Sequence, residues 1–181
     1  ALYQARRLEN AAARSGGKLI LVRTKADLAA ALEEGAIAGV LATEGAHPLE
    51  GKVENVARLY DAGYRMLGLQ HFFDNELGGS LHGVSGAGLT EFGRAADGGG
   101  AAGMMIDIAH SSEAVARETL ALAARPLVVS HTGLRGHCDS ARNVPDALLK
   151  SVAEKGGLIG VGFWDGAVCA ADQVRAQLLK M

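Results

Sequence analysis

The chain has 181 residues, of which 49% are hydrophobic and 21% charged, and its formal net charge is −2. This combination of apolar content and low net charge excludes an intrinsically disordered chain. The 18 basic and 20 acidic residues leave no electrostatic footprint for nucleic acid. No apolar stretch approaches the roughly 20 residues of a membrane span, and the 25 glycines lack the three-residue period of collagen.

Apolar runs of strand length alternate with helical patterns along the chain. After a helical stretch at residues 1–14, apolar runs occur at residues 19–22, 38–43, 65–69, 103–109, 127–130 and 158–163. Helices are predicted at residues 25–34, 53–62, 113–124, 145–155 and 171–180. Thr24 is the predicted N-cap of the helix at 25–34, and Ser111 or Ser112 that of the helix at 113–124. This α(βα)₆ order, with near-continuously apolar strands, predicts a parallel sheet covered on both faces.

Two α/β architectures fit this order of elements. A doubly wound sheet of six strands would be complete at this length, whereas a (β/α)₈ barrel needs about 250 residues and six units would form only part of it. The hydrophobic periodicity does not separate the two. Two glycine-rich segments interrupt the alternation. Residues 71–88 form a long loop of the kind that is functional or mobile, and the glycines at 98–100 are expected to fray a crossover helix.

Acidic and histidine side chains follow four of the six predicted strands. Glu44, His71, His110 and His131 lie just past the carboxyl ends of their strands, at two-residue steps from apolar strand residues. Since parallel strands point their carboxyl ends at one rim, where such folds hold their sites, we expect these side chains to lie together. A single histidine at a strand end is more often a structural polar residue, but this set favours a metal or catalytic site.

The residue types suggest a role for each side chain in such a site. His110 and His131 follow consecutive strands, so their imidazoles could share one zinc ion, and the two oxygens of Glu44 could bridge to a second. A two-metal site activates water and stabilises the developing oxyanion. His71 has no matching ligand partner nearby in the sequence and suits a role toward the substrate or the oxyanion. Asp107 is predicted on the strand face opposite His110, where it either orients a ligand or faces the helix layer.

Several other motifs carry weaker signals. The stretches 78–83 and 83–88 are glycine-rich, but neither places G-x-G-x-x-G directly after a strand, which disfavours nucleotide binding. The remaining histidines lie in loops, and we predict that they lie at the surface or contact a metal ligand without binding the metal; they are His47, His82 and His137. The H-x-D motif at residues 137–139 follows a loop and not a strand, so we interpret it as unrelated to metal binding. The two cysteines, Cys138 and Cys169, form neither a CxxC pair nor a disulfide framework, so we expect them to be structural thiols.

Ordered motifs extend over essentially the whole chain. They are ATEG at residues 42–45, GYRMLGLQH at 63–71, NELG at 75–78, GLTEFGR at 88–94, GMMIDIAH at 103–110, LVVSH at 127–131, CD at 138–139, RN at 142–143 and GGLIGV at 156–161. In identity and spacing they resemble the peptidase family M19, the renal-type or membrane dipeptidases of the amidohydrolase superfamily. The resemblance implies a partial (β/α)₈ barrel over residues 1–181, with about six βα units and the first and last barrel strands missing.

The resemblance also implies a reaction and roles for particular residues. The family hydrolyses dipeptides through a hydroxide that bridges two zinc ions. Glu44 would bridge both metals, with His110 and His131 completing one metal site. His71 would contact the substrate and steady the tetrahedral intermediate, so Glu44 and His71 are the expected catalytic residues. Arg142 would bind the substrate carboxylate, and Trp164 stands where the family places an aromatic side chain near the substrate.

The chain departs from the family pattern in two places, because it has no H-x-D on a first strand and no late aspartate after a further strand. We therefore expect little or no peptidase activity from these 181 residues alone. The alternatives are an amidohydrolase that cleaves N-acyl amino acids or lactones, and a non-catalytic barrel remnant. A dipeptide is the expected binding partner, and the sequence does not decide whether the chain forms a homodimer. Residues 1–14 do not resemble a signal peptide, which favours a cytoplasmic location without excluding a signal peptide upstream.

Overall fold

The computed structural model describes residues 1–98 and 103–170. Its helices are α1 (Leu2–Arg14), α2 (Lys25–Glu33), α3 (Glu54–Asp61), α4 (Glu91–Gly98), α5 (Glu113–Leu122), α6 (Asp146–Glu154) and α7 (Asp165–Val168), with a 3-10 helix at His47–Leu49. Its strands are β1 (Leu19–Leu21), β2 (Ile37–Gly39), β3 (Leu41–Thr43), β4 (Tyr64–Gly68), β5 (Met105–Asp107), β6 (Val128–Thr132) and β7 (Leu158–Val161). No helix within these two ranges has both the length and the hydropathy needed to cross a membrane.

The strands lie side by side in the order of the sequence. β3, β4, β5, β6 and β7 form one five-stranded sheet in that order, all pairs being parallel, and β1 pairs with β2 in a separate parallel pair. A doubly wound sheet reverses its strand order at a switch point, whereas a (β/α)₈ barrel adds each strand beside the one before it. The sequential order therefore identifies the fold as part of a (β/α)₈ barrel.

The single strand predicted at residues 38–43 is wrong, because the structure divides this run into two strands. Ile37, at the start of β2, pairs with Leu19 of β1, whereas Ala42 of β3 pairs with Met66 of β4. Val40 separates the two segments and is 41% exposed. Apolar periodicity does not reveal which neighbour a strand pairs with, so one continuous run concealed a change of partner.

Most predicted helix boundaries agree with the structure to within one or two residues. Thr24 caps α2 as predicted, and of the two candidate serines it is Ser112 that accepts the Val115 N–H at the start of α5. The short helix α7 was not predicted. The fraying expected at residues 98–100 and the helix expected at 171–180 lie almost entirely outside the described residues, which include only Gly98 as the last residue of α4.

One face of the sheet packs against the helices. Leu67 and Leu69 from β4 and its end, together with Ile106 and Ile108 from β5 and its end, are buried in one cluster with helix residues such as Val115. Side chains on the opposite face of the same strands are more accessible. Met105 is 40% exposed and Leu158, on β7, 68% exposed. The helix-facing layer thus forms the core on which the strand ends are built.

Candidate metal and substrate site

Side chains from four neighbouring strand ends lie together, with three histidines around one carboxylate oxygen. Glu44 follows β3 directly, and its Oε1 lies 3.2 Å from Nε2 of His110, 3.4 Å from Nε2 of His131 and 3.5 Å from Nε2 of His71. The Nε2 atoms of His110 and His131 are 2.9 Å apart. The sequence predicted that these four residues lie together, and the structure places them so.

The route by which His110 reaches the site differs from the prediction. Its two-residue spacing from Ile106 and Ile108 suggested a common strand face, yet both isoleucines are buried in the helix-facing core. His110 instead lies in a turn after β5 with φ = 65°, in the left-handed region that side chains other than glycine rarely adopt. The turn redirects the imidazole toward the rim, so loop geometry and not strand alternation positions this residue.

Glu44, His110 and His131 form a group that fits a metal ion. Each offers one ligand atom, and these atoms all lie within 4.8 Å of one another. Two imidazoles and a carboxylate are a donor set typical of zinc sites. The Ser130 hydroxyl lies 2.9 Å from Nδ1 of His131, a contact that orients the ring and leaves Nε2 directed at the cluster.

Burial keeps the two histidines of this group in their neutral form. The pKa of His110 is lowered to about 3, chiefly because the ring is removed from water and secondly because the Arg142 charge is close. The pKa of His131 is also lowered by burial and by Arg142, although the carboxylates of Glu44 and Asp107 oppose that shift. A neutral imidazole is the form that ligates a metal, so both rings are prepared for that role.

Arg142 and Trp164, which were predicted to contact the substrate, lie beside the histidines. The Arg142 guanidinium is 9% exposed and donates from Nη2 to the carbonyl oxygen of His131 at 3.0 Å, and its Cζ lies 5.2 Å from the centre of the Trp164 ring. Its Nη1 is buried and has no hydrogen-bond partner within the described residues. A buried, unpaired guanidinium nitrogen is costly unless an anionic group is present to accept its hydrogen bond.

These residues line a single open cleft of about 440 Å³. Its wall is formed by Glu44, His71, Phe72, His82, His110, His131, Arg142 and Trp164. His82 is exposed at the surface, as predicted, but it also borders this cleft, and Phe72 was not predicted at all. A larger cavity of about 740 Å³ is lined by residues at the start of β4, β5, β6 and β7 and by residues 22–25 after β1, and it contains none of the residues above.

Three other predictions have clear outcomes. Cys138 and Cys169 are joined in a disulfide, so the prediction of structural thiols is wrong; their wide sequence separation of 31 residues gave no local signal. Asp107 accepts hydrogen bonds from the backbone N–H groups of Ala109 and Ser130, close enough to the site for its charge to act on His131. Both residues of the H-x-D at His137 are exposed, and the metal-ligand group does not include them.

Comparison with known proteins places this geometry in a family. The family model "Membrane dipeptidase (Peptidase family M19)" matches residues 1–177. The chain is 31% identical over 163 residues to an uncharacterized protein in the pqqA 5' region of Klebsiella pneumoniae, and 28% identical over 142 residues to dipeptidase 3 of Mus musculus. A solved structure of a metallo peptidase from Rhodobacter sphaeroides, liganded with a phosphinate mimic of the dipeptide L-Ala-D-Ala, superimposes with a TM-score of 0.77 at 25% identity.

The strand order defines part of a (β/α)₈ barrel, and its rim carries a group of side chains that could hold a metal ion. The chain belongs to the membrane dipeptidase family, peptidase family M19. The alignments cover 86% and 69% of this chain for the Klebsiella and mouse proteins and 88% for the Rhodobacter structure. The chain spans 60%, 27% and 48% of the lengths of those three proteins.

Proposed function

We propose that this chain carries the zinc- and substrate-binding residues of a dipeptidase that hydrolyses the peptide bond of dipeptides. The observation that carries the proposal is the convergence of Glu44, His110 and His131 within 4.8 Å, beside a buried arginine with an unpaired nitrogen. Membership of the membrane dipeptidase family supports the reaction class. The free carboxylate of a dipeptide suits the Arg142 guanidinium, because a carboxylate accepts two parallel hydrogen bonds.

In this proposal each side chain has a distinct task. Glu44, His110 and His131 hold zinc, which when bound supplies Lewis-acid polarisation of the peptide carbonyl and a water of lowered pKa. His71 directs Nε2 into the same cleft, 3.5 Å from Glu44 Oε1, where it donates a hydrogen bond to the oxygen that gains charge during attack. Arg142 holds the carboxylate, and the Trp164 ring covers the substrate beside it.

Two zinc ions are proposed for the complete site. Within residues 1–98 and 103–170, Glu44, His110 and His131 form the one group of three or more candidate ligands. Glu44 has a second oxygen and a side chain that is 56% exposed, so it retains room to bridge to an additional ion. Ligands for that ion would come from an H-x-D strand such as the family pattern contains, which residues 1–181 lack.

Zinc binding by the purified chain tests the metal site. Isothermal titration of the metal-free chain is expected to show one zinc ion bound, with affinity reduced by 10- to 100-fold or more in His110→Ala or His131→Ala, because each change removes a ligand. His137→Ala is the matched control, since that histidine is exposed and outside the group. Unchanged zinc affinity in both ligand variants would overturn the assignment.

A substrate panel tests the reaction and its main alternative. The protein that contains this chain is expected to hydrolyse L,L- and L,D-dipeptides in preference to N-acyl amino acids and lactones, whereas the isolated 181 residues are expected to show little or no turnover. Preference for N-acyl amino acids or lactones would favour the other amidohydrolase chemistry. Absence of both zinc binding and turnover would favour a non-catalytic remnant.

A further inference from the structure

The glycine-rich loop at residues 71–88 has a structural role that the proposed mechanism does not use. Its glycines permit close approach of loop segments to one another: a Cβ on Gly79 would lie 2.5 Å from the carbonyl oxygen of Ala87, and one on Gly83 would collide with the Asp74 carboxylate. The loop is therefore folded on itself, which accounts for the glycines without a phosphate ligand.

Asp74 and Ser80 hold this loop against the site. The Asp74 carboxylate accepts hydrogen bonds from the backbone N–H groups of Ser80, Val84 and Ser85 at 2.7, 3.1 and 3.0 Å. The buried Ser80 hydroxyl lies 2.5 Å from the carbonyl oxygen of His71 and 3.2 Å from that of His110. One serine thus contacts the backbone of two residues that line the cleft.

His82 is fixed by its neighbours and directed into the cleft. The backbone N–H of His82 donates to the Ser80 hydroxyl at 3.2 Å, and the backbone N–H of Leu81 donates to the carbonyl oxygen of His110 at 2.7 Å. The His82 ring centre lies 5.6 Å from that of His110 and 5.4 Å from that of Phe72. Its imidazole has no hydrogen-bond partner among the described residues and borders the open cleft.

The cleft has two walls beside the ligand group. Arg142 and Trp164 form one wall, and the Trp164 ring lies 5.9 Å from His131. Phe72 and His82 form the other wall, and both rings lie within 6 Å of His110. With the substrate carboxylate held at Arg142, a dipeptide spanning the ligands would place its N-terminal residue against the second wall.

We propose that His82, with Phe72, forms the subsite that contacts the N-terminal residue of the dipeptide and selects among its side chains. This inference rests on the proposed function. Two partly exposed rings, tilted 52° to each other, offer an aromatic surface that makes more contact with branched or aromatic side chains than with glycine. His82 is therefore a specificity-determining residue, while zinc binding depends on other side chains.

Binding of phosphinate dipeptide mimics to the zinc-loaded protein tests the subsite without requiring turnover. Two mimics share D-Ala at the C-terminal position and carry Leu or Gly at the N-terminal position, and a third pairs Leu with a C-terminal Gly. In His82→Ala the preference for N-terminal Leu over Gly should fall about two- to tenfold, the range expected for one aromatic contact, while the C-terminal preference changes less than about twofold. His82→Phe, which keeps a ring, should retain most of the N-terminal preference.

Val84→Ala is the matched control, because Val84 lies on the same loop with its side chain fully exposed. Zinc affinity and thermal stability are measured for every variant, so that loss of folding is distinguished from loss of selectivity. Equal selectivity in His82→Ala and the unaltered protein overturns the subsite and leaves the proposed function standing. If the unaltered, zinc-loaded protein binds none of the mimics, the proposed function itself fails.

Discussion

At the scale of single residues, the site concentrates nitrogen-bearing side chains around the carboxylate of Glu44. Three imidazole nitrogens lie within 3.5 Å of one oxygen, and the Arg142 guanidinium contacts His110 from behind, with Nη2 3.5 Å from its Nε2. For His110 and His131, burial and the nearby Arg142 charge lower the pKa, so these two imidazoles are held in the neutral form. The positive charge beside them is that of Arg142, which attracts carboxylates.

The depressed pKa of His110 predicts acid sensitivity of the metal-free protein. The pKa of this histidine is about 6.5 in the unfolded chain and about 3 in the folded protein. Between those two pH values the unfolded state therefore binds more protons than the folded state. The free energy of unfolding should then be unaffected above pH 7 and fall between about pH 6.5 and 3, by up to about 1.4 kcal/mol per pH unit from this group.

Urea unfolding in the presence of a chelator, measured from pH 8 to pH 4, checks this expectation. His110→Gln removes the titrating ring and should flatten the decline, whereas His137→Gln, at an exposed position, should leave it unchanged. The same slope in His110→Gln and in the unaltered protein would contradict the assignment of the acid sensitivity to His110.

Gly83 provides a second residue-scale prediction. A Cβ at this position would collide with the Asp74 carboxylate, so Gly83→Ala must displace the group that holds three loop N–H donors. We expect a loss of stability of about 1–3 kcal/mol, as for other overpacked sites, measured by chemical denaturation. In a double variant with Asp74→Ala the steric part of this cost should disappear, so strictly additive effects would argue against the collision.

At the scale of elements, the start of α2 is stabilised by a reciprocal pair of hydrogen bonds. The Thr24 hydroxyl accepts from the Asp27 N–H at 3.2 Å, and the Asp27 carboxylate accepts from the Thr24 N–H at 2.7 Å. These hydrogen bonds, together with one from the Arg23 N–H, hold the pKa of Asp27 below its usual value. The residue types of this capping box are readable in the sequence, which is why the start of α2 was predicted correctly.

Removal of the cap should destabilise the protein measurably. Thr24→Ala leaves the Asp27 N–H without its acceptor, and we expect the free energy of unfolding to fall by about 1 kcal/mol, within the range of 0.5–2 kcal/mol seen for such caps. Lys25→Ala, one residue further into the helix, is the control and should change stability by less than about 0.5 kcal/mol. Equal effects of the two substitutions would show that the cap contributes nothing specific.

At the scale of the whole molecule, the disulfide joins the two segments that carry Arg142 and Trp164. Cys138 lies four residues before Arg142, and Cys169 follows α7, the helix that begins after Trp164. The bond closes a loop that contains α6 and β7 and reduces the freedom of the unfolded chain. It therefore ties the position of the guanidinium to that of the aromatic ring above it.

Loss of this bond is expected to cost both stability and substrate affinity. For the 31-residue separation, the chain-entropy model gives a stabilisation of about 3–4 kcal/mol. The double variant Cys138→Ser/Cys169→Ser should show that loss in denaturant unfolding, and its zinc-loaded form should bind dipeptide mimics more weakly. Zinc affinity should be preserved, because neither cysteine contacts the ligand group. A double variant with unchanged stability would contradict the structural role of the bond.

The sequence by itself determined the α/β class, most helix boundaries and the main set of site residues. Helix caps, apolar runs and the Glu and His residues after strands are local signals, and parallel strands bring their carboxyl ends to one rim wherever they fold. The motif spacing also indicated the family, which the family model confirms over residues 1–177. What each site residue does stays a prediction.

Only the tertiary structure decided which segments meet. The change of strand partner at Val40, the disulfide between Cys138 and Cys169, and the entry of His82 into the cleft all depend on contacts between residues distant in sequence or on loop geometry. Even His110 reaches the site through a left-handed turn and not through strand alternation. Side-chain periodicity encodes burial along one element, whereas pairing partners and loop conformations follow from the packing of the whole chain.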